Sequence, residues 1–302
     1  MNGKEKSLFR VIRFFVVIFV LLSTSTVLFA QTNQRDIEMK KDSGLAPVNG
    51  LNMYYEIYRT SRYETGSEVP LVLIHGGGST IETTFGYILP VFTKDFMVIA
   101  VELQAHGRTS DRDALESFEQ DADDVAALLK YLKINKANIF GFSNGGTTTL
   151  QITIRHHEIV NKIVVVSANY KRDGLIDGLI EGMQNATLDN MPAPLKEAYL
   201  KVAPDKSHLQ IMFEKDKERM IGFKDLSDDD LRSIKAPALL MVGDHDVVKA
   251  EHVVKMSQLI PNARLAILPG THGSIIGEIC AVKKDSKIPY AAVEIIKEFL
   301  VK

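Results

Sequence analysis

Six short apolar runs recur along the chain, at 71–74, 96–101, 137–140, 162–167, 238–242 and 264–268, and helix-compatible stretches separate most of them. A strand that is apolar at successive positions leaves no face for water. It belongs inside a sheet covered on both sides, and strand–helix–strand repetition makes that sheet parallel. The expectation is an α/β fold with a mostly parallel, doubly wound sheet. Two extended segments, 46–48 and 53–58, precede the alternation and are joined through Asn49-Gly50, a dipeptide suited to a tight hairpin. Residues 59–68 read as a polar loop, 82–92 as a helix, and Ser117 with Gln120 as a capping box before a helix.

The alternation stops at Tyr170. From there to Phe223 only helical patterns occur, with Leu175, Ile176, Leu179, Ile180 and Met183 at one helical spacing. Fifty-four residues without a strand, set between two sheet strands, predict an inserted helical cap at about 170–223. The sheet resumes after Ser227, an N-cap followed by Asp228, Asp229 and Asp230 on the first turn. A last helix is expected over 290–300.

The first thirty residues read differently. Lys4, Lys6, Arg10 and Arg13 precede an unbroken apolar run, 14–22, which gives way to hydroxyl residues, Ala30 and a polar stretch. That order is a secretory signal over 1–30, followed by a polar leader over 31–44. Leu28 stands where cleavage after Ala30 wants a small residue, so an uncleaved anchor is the alternative. Either way the remainder is expected outside the cytoplasm, periplasmic or secreted. The signal carries a net +3, so an exported chain would hold −5 rather than the −2 of the full sequence.

With Lys+Arg 36 against Asp+Glu 38 and no basic run longer than a pair, no face is available for phosphate contacts, and nucleic acid is excluded as a partner. The single cysteine, Cys280, cannot form an intramolecular disulfide or by itself a thiolate metal site. No metal or organic cofactor is implied.

Gly141-Phe142-Ser143-Asn144-Gly145 sits between an apolar run and a helix-compatible stretch. A strained strand-to-helix turn needs small residues on both sides of its nucleophile, which makes Ser143 the candidate nucleophile. A serine hydroxyl needs an imidazole base, oriented by a carboxylate. His272, on the loop after the last apolar run, is the candidate base; His245 is its competitor, and His106 reads as a loop-organising hydrogen-bonder. Asp244 and Asp246 share one loop, and the residues allow either as the acid. Asp246, at the loop's end before Val247-Val248, is preferred, with Asp244 holding the loop. Backbone N–H groups of Asn144 and of Gly77, in His75-Gly76-Gly77-Gly78, are the candidate oxyanion donors.

With these motifs in this order, the sequence resembles the α/β-hydrolase superfamily over about 45–302, in particular its cap-bearing serine esterases and haloperoxidase-like members. The resemblance implies Asp246 as the acid, because the second Asp of a Gly-Asp-x-Asp loop holds that role, and it accounts for the loop Gln104–Arg108. Ser rather than Asp at 143 argues against dehalogenase and epoxide hydrolase chemistry, and Asn144 in place of Trp argues against proline iminopeptidases. The expected activity is ester hydrolysis on a partly apolar small molecule. The same triad on a thioester, lactone, peracid or carbon–carbon bond is the alternative, and a non-catalytic ligand-binding protein is the reading from another class. Leu175, Leu179, Met183, Tyr199, Met212, Phe213 and Met220 are the cap residues available to wall an acyl site or pack onto the sheet.

Overall fold

The computed structural model describes residues 39–60 and 69–302; the expected signal and the first part of the leader lie outside them. The chain begins as a hairpin, β1 (Met39–Val48) and β2 (Leu51–Thr60), paired antiparallel. Asn49 and Gly50 both take positive φ, 43° and 86°, which matches the twist of the strands they join. Strand β1 takes in residues 39–44, which the sequence reading assigned to a leader. Polar side chains hid this strand: pairing with β2 satisfies its backbone while its outer side faces water, so no apolar run marks it. Strand β2 likewise takes Arg59 and Thr60 from the expected loop.

The alternating units follow: β3 (Leu71–Ile74), α1 (Ile81–Phe85), α2 (Leu89–Phe92), β4 (Val98–Val101), α3 (Phe118–Tyr131), β5 (Ala137–Phe142), α4 (Asn144–Arg155) and β6 (Val160–Val166). The helix expected over 82–92 is two short helices. Gly86 ends the first, and Pro90, which has no N–H to continue a ladder, sits in the first turn of the second. At α3, Ser117 Oγ accepts the Gln120 N–H at 3.1 Å, but the Gln120 amide turns to Asp124 instead of closing a capping box.

Between β6 and β7 (Ala238–His245) lie α5 (Leu179–Gln184), α6 (Ala193–Val202), α7 (Leu209–Ile221) and α8 (Asp228–Ser233). Strand β7 leads to α9 (Ala250–Leu259), β8 (Ala263–Thr271) and α10 (Ile288–Val301). The eight strands are ordered β1-β2-β4-β3-β5-β6-β7-β8, with β3 to β8 parallel and β2 antiparallel to both its neighbours.

Successive residues of each central strand feed opposite cores. Val72, Ile74, Ile139, Val165 and Leu240 pack with Leu128, Leu150 and Met256 from α3, α4 and α9. Leu71, Leu73, Phe140, Val164 and Met241 pack with Phe85, Phe92 and Ile296 from α1, α2 and α10. Strand β8, at the edge, is half-exposed, unlike the other strands the apolar runs marked. The chain order reverses about β3, which has β4 on one side and β5 on the other, so the carboxyl ends of the central strands open a crevice.

The inserted helices are tied to the sheet domain by a buried cation. Arg219 of α7 forms ion pairs with Asp121 of α3 and with Asp216, reaches Glu116 at 3.5 Å, and lies over the Phe118 ring at 5.0 Å. Burial pushes the Glu116 carboxyl well above its ordinary value and Asp121 up to about 6, with Arg219 opposing both. One guanidinium therefore compensates a cluster that could not hold three negative charges alone. Arg219→Ala, which strands these carboxylates in the interior, is expected to lower stability by about 3–5 kcal/mol in urea unfolding.

Candidate active site

Five strand ends meet at one point. Strand β5 delivers Ser143, whose backbone is held at φ 54°, ψ −122°, a region a residue with a side chain rarely occupies. The turn is tight because backbones touch across it: a Cβ on Gly145 would lie 2.2 Å from the Ile74 carbonyl oxygen, and one on Gly141 2.0 Å from that of Gly145. The Ser143 N–H donates to the Val166 carbonyl at 2.9 Å, and its own carbonyl accepts from Gly146 at 2.8 Å, which starts α4. The hydroxyl is thus presented above the sheet at the helix N-terminus.

The loop after β8 places His272 Nε2 3.0 Å from Ser143 Oγ. On the other side of the ring, His272 Nδ1 lies 2.7 Å from Asp246 Oδ1, at the end of β7. The Asp246 carboxylate is fully buried. Burial would raise its pKa, but the bonds from His272, from Ser167 Oγ at 2.6 Å and from the Val248 N–H at 3.1 Å outweigh that and hold it below the ordinary carboxylate value. It is therefore an anion at neutral pH. Phe142 backs the imidazole, ring centroids 4.9 Å apart. Asp244 is exposed and accepts the Gly270 N–H at 2.8 Å, and His245 is also exposed. An imidazole bonded to a carboxylate through one nitrogen and to a hydroxyl through the other can remove the hydroxyl proton and hold the resulting positive charge.

The glycine loop after β3 is held by two buried histidines. His75 donates from Nδ1 to the Gly76 carbonyl at 2.7 Å and accepts the Leu103 N–H on Nε2 at 3.0 Å. His106 donates from Nδ1 to the Gln104 carbonyl at 2.8 Å and accepts the Gly78 N–H on Nε2 at 3.2 Å. Each ring needs one protonated and one bare nitrogen, so each is neutral; burial pushes the His75 pKa down to about 3 and lowers that of His106. Gly76 N–H donates to Thr84 Oγ1 at 3.3 Å, which leaves Gly77 as the one glycine of the three whose N–H has no hydrogen bond among the described residues. Gly77, Asn144 and Ser143 line the same cavity. The N–H of Asn144, on the first turn of α4, has no intrahelical acceptor by position.

That cavity measures about 380 Å³ and is walled mainly by Leu175, Leu179, Met183, Met212, Phe213 and Met220. Tyr199 is not among its walls: it is buried between cap and sheet domain, its hydroxyl donating to the Ala105 carbonyl at 3.3 Å. Two residues at the site escape sequence reasoning. Ser167 follows β6 with nothing local to mark it, and Asp216 of α7 accepts the Asn144 side-chain amide at 3.0 Å across a separation of 72 residues. Among the described residues no group of three or more His, Cys, Asp or Glu could hold a metal ion.

A profile of the alpha/beta hydrolase fold matches residues 69–178, the stretch from β3 through the elbow and past β6. The chain is a hydrolase with the α/β-hydrolase fold. This α/β hydrolase is 29% identical over 246 residues to the human "Serine hydrolase BPHL", covering 76% of this chain and 80% of that protein. It is 23% identical to the 2-hydroxy-6-oxo-6-(2'-aminophenyl)hexa-2,4-dienoic acid hydrolase of Metapseudomonas resinovorans, over 69% of this chain and 79% of that one. The crystal structure of the enol-lactonase from Burkholderia xenovorans LB400 superposes with a TM-score of 0.65 at 22% identity, covering 85% of this hydrolase and all of the other.

The geometry separates the two aspartates of the β7 loop. Asp246→Asn should lower kcat for an activated aryl ester by on the order of 10⁴, while Asp244→Asn stays near the wild-type rate. A Cβ on Gly77 would fall 2.5 Å from Asp216 Oδ2 and 2.6 Å from Asn144 Nδ2, so Gly77→Ala should displace the candidate oxyanion donors and lower kcat by ~10²–10³ with KM less affected.

Proposed function

We propose that this α/β hydrolase is an exported serine hydrolase that cleaves carboxylic ester bonds through an acyl-enzyme. The observation that carries the proposal is the continuous hydrogen-bond relay from Ser143 through His272 to the buried Asp246, set at the edge of a largely apolar cavity. In the proposed reaction His272 Nε2 takes the Ser143 proton as Oγ adds to the ester carbonyl. The N–H groups of Gly77 and Asn144 receive the developing oxyanion, aided by the positive end of α4. His272 then returns the proton to the departing alcohol, and a water activated by the same imidazole releases the acid. Asp246 stays ionised throughout and stabilises the imidazolium. The sequence relatives quoted above are named as hydrolases, which supports bond hydrolysis; the apolar walls support a partly apolar acyl or alcohol group.

Export is proposed on the basic, apolar and small-residue order of residues 1–30. A fractionated cell expressing the full chain should hold its ester-hydrolase activity outside the cytoplasm.

Ser143→Ala should abolish p-nitrophenyl butyrate hydrolysis and labelling by a fluorophosphonate, with an unchanged urea midpoint. Residual turnover equal to wild type would rule the nucleophile out. Labelling of Ser143 without turnover of any ester, lactone or thioester would point instead to a ligand-binding role.

A further inference from the structure

The cavity walls are largely apolar, with Asn169 and Asn190 among their uncharged polar groups. Besides His272, the ionisable groups on its wall are Asp216 and Lys217, adjacent on α7. The Lys217 ammonium is taken up by the Ala186 carbonyl at 3.2 Å and Glu214 at 3.3 Å. Asp216 keeps one oxygen bare. Its Oδ1 is bound by Arg219 and by the Asn144 amide, which fixes the carboxylate plane. Its Oδ2 has no hydrogen bond among the described residues, yet it is not sealed from solvent, and it lies against Gly77 where the oxyanion donors converge. Burial would raise the Asp216 pKa, but Arg219 and the Asn144 amide outweigh it and keep the group ionised.

A fixed anion with one bare oxygen beside the reacting carbonyl acts on any charged substituent brought there. In a low-dielectric cavity that action is strong, and it depends on sign: attraction for a cation or an N–H donor, repulsion for a carboxylate. A substituent on the acyl chain feels it through both halves of the reaction, because the acyl group stays on Ser143 after the alcohol has left. We infer that Asp216 is a specificity-determining residue that sets the charge class of the substrate: the site takes esters whose acyl chain is neutral or positively charged near the carbonyl and turns away those bearing a carboxylate there. The inference rests on the ester-hydrolase proposal above. It also separates two effects of the cavity, since apolar walls penalise both signs of charge alike whereas Asp216 penalises only one.

Three methyl esters of similar size test it: methyl butanoate, methyl 3-aminopropanoate and monomethyl succinate, with methanol release giving kcat/KM at pH 7 for the full chain. The wild-type enzyme should favour the ammonium ester over the carboxylate ester by at least about tenfold beyond their ratio in hydroxide hydrolysis. In Asp216→Asn, which keeps an acceptor for the Asn144 amide, that ratio should fall toward the ratio the two esters show in uncatalysed hydroxide hydrolysis. A wild-type ratio no greater than that of hydroxide hydrolysis overturns the inference, as does an unchanged ratio in Asp216→Asn. If Asp216→Asn does not fold, Asp216→Ser is read in the same way, and an unchanged ratio there overturns the inference. Absence of turnover on all three esters, methyl butanoate included, overturns the ester-hydrolase proposal and this inference together.

Discussion

The site depends on one backbone contact: the first turn of α4 pressed against the end of β3, with Gly145 under the Ile74 and His75 carbonyls. That contact forces the chain to reverse at Ser143 within a single residue, in a conformation costing about 1–3 kcal/mol. Two buried elements hold it there. Strand β5 is locked between β3 and β6, and every residue of α4 from Asn144 to Thr153 is buried, so the turn cannot relax without opening both cores. Because the strained residue stands at the centre of the sheet, the ends of β3, β6, β7 and β8 are all within reach of it. The hydroxyl, the unpaired N–H of the glycine loop, the carboxylate and the imidazole are assembled from segments far apart in the chain, and their common origin is the parallel register of the sheet.

The histidines at the site divide by burial and by bonding. His272 is partly exposed and faces a hydroxyl through one nitrogen and a carboxylate through the other. His75 and His106 are sealed, their rings 4.9 Å apart, and each bonds backbone groups with both nitrogens. They act as neutral struts between the glycine loop and the loop after β4. Desolvation keeps them unprotonated across the physiological range, which makes the position of Gly77 insensitive to pH.

Electrostatics connects the inserted helices to this machinery. Arg219 joins α7 to α3 and to Asp216, and Asp216 continues the chain of bonds to Asn144 beside Ser143. A buried cation with several carboxylates is a poor source of net stability but a demanding one for geometry, since each partner removed leaves the others uncompensated. The inserted helices are thereby seated in one position over Ser143, and the same carboxylate that seats them presents an unpaired oxygen to the cavity.

Local chemistry made much of this legible. The double-faced apolar runs imply a covered parallel sheet, the glycines around Ser143 imply a close strand-to-helix turn, and His272 and the Asp244/Asp246 loop follow sheet strands, where such folds place reactive groups. The first part of strand β1, residues 39–44, was not legible, because a polar stretch at a sheet edge shows no hydrophobic signature. Nor was the break at Gly86 between α1 and α2. Choosing Asp246 over Asp244 by its contacts, finding Ser167 behind it, and bringing Asp216 to Asn144 all needed the folded chain. Hydrophobic period and turn chemistry act between neighbours and are written residue by residue. Which side chains meet across 72 or 129 residues is set by strand order and helix packing, and no local pattern encodes that.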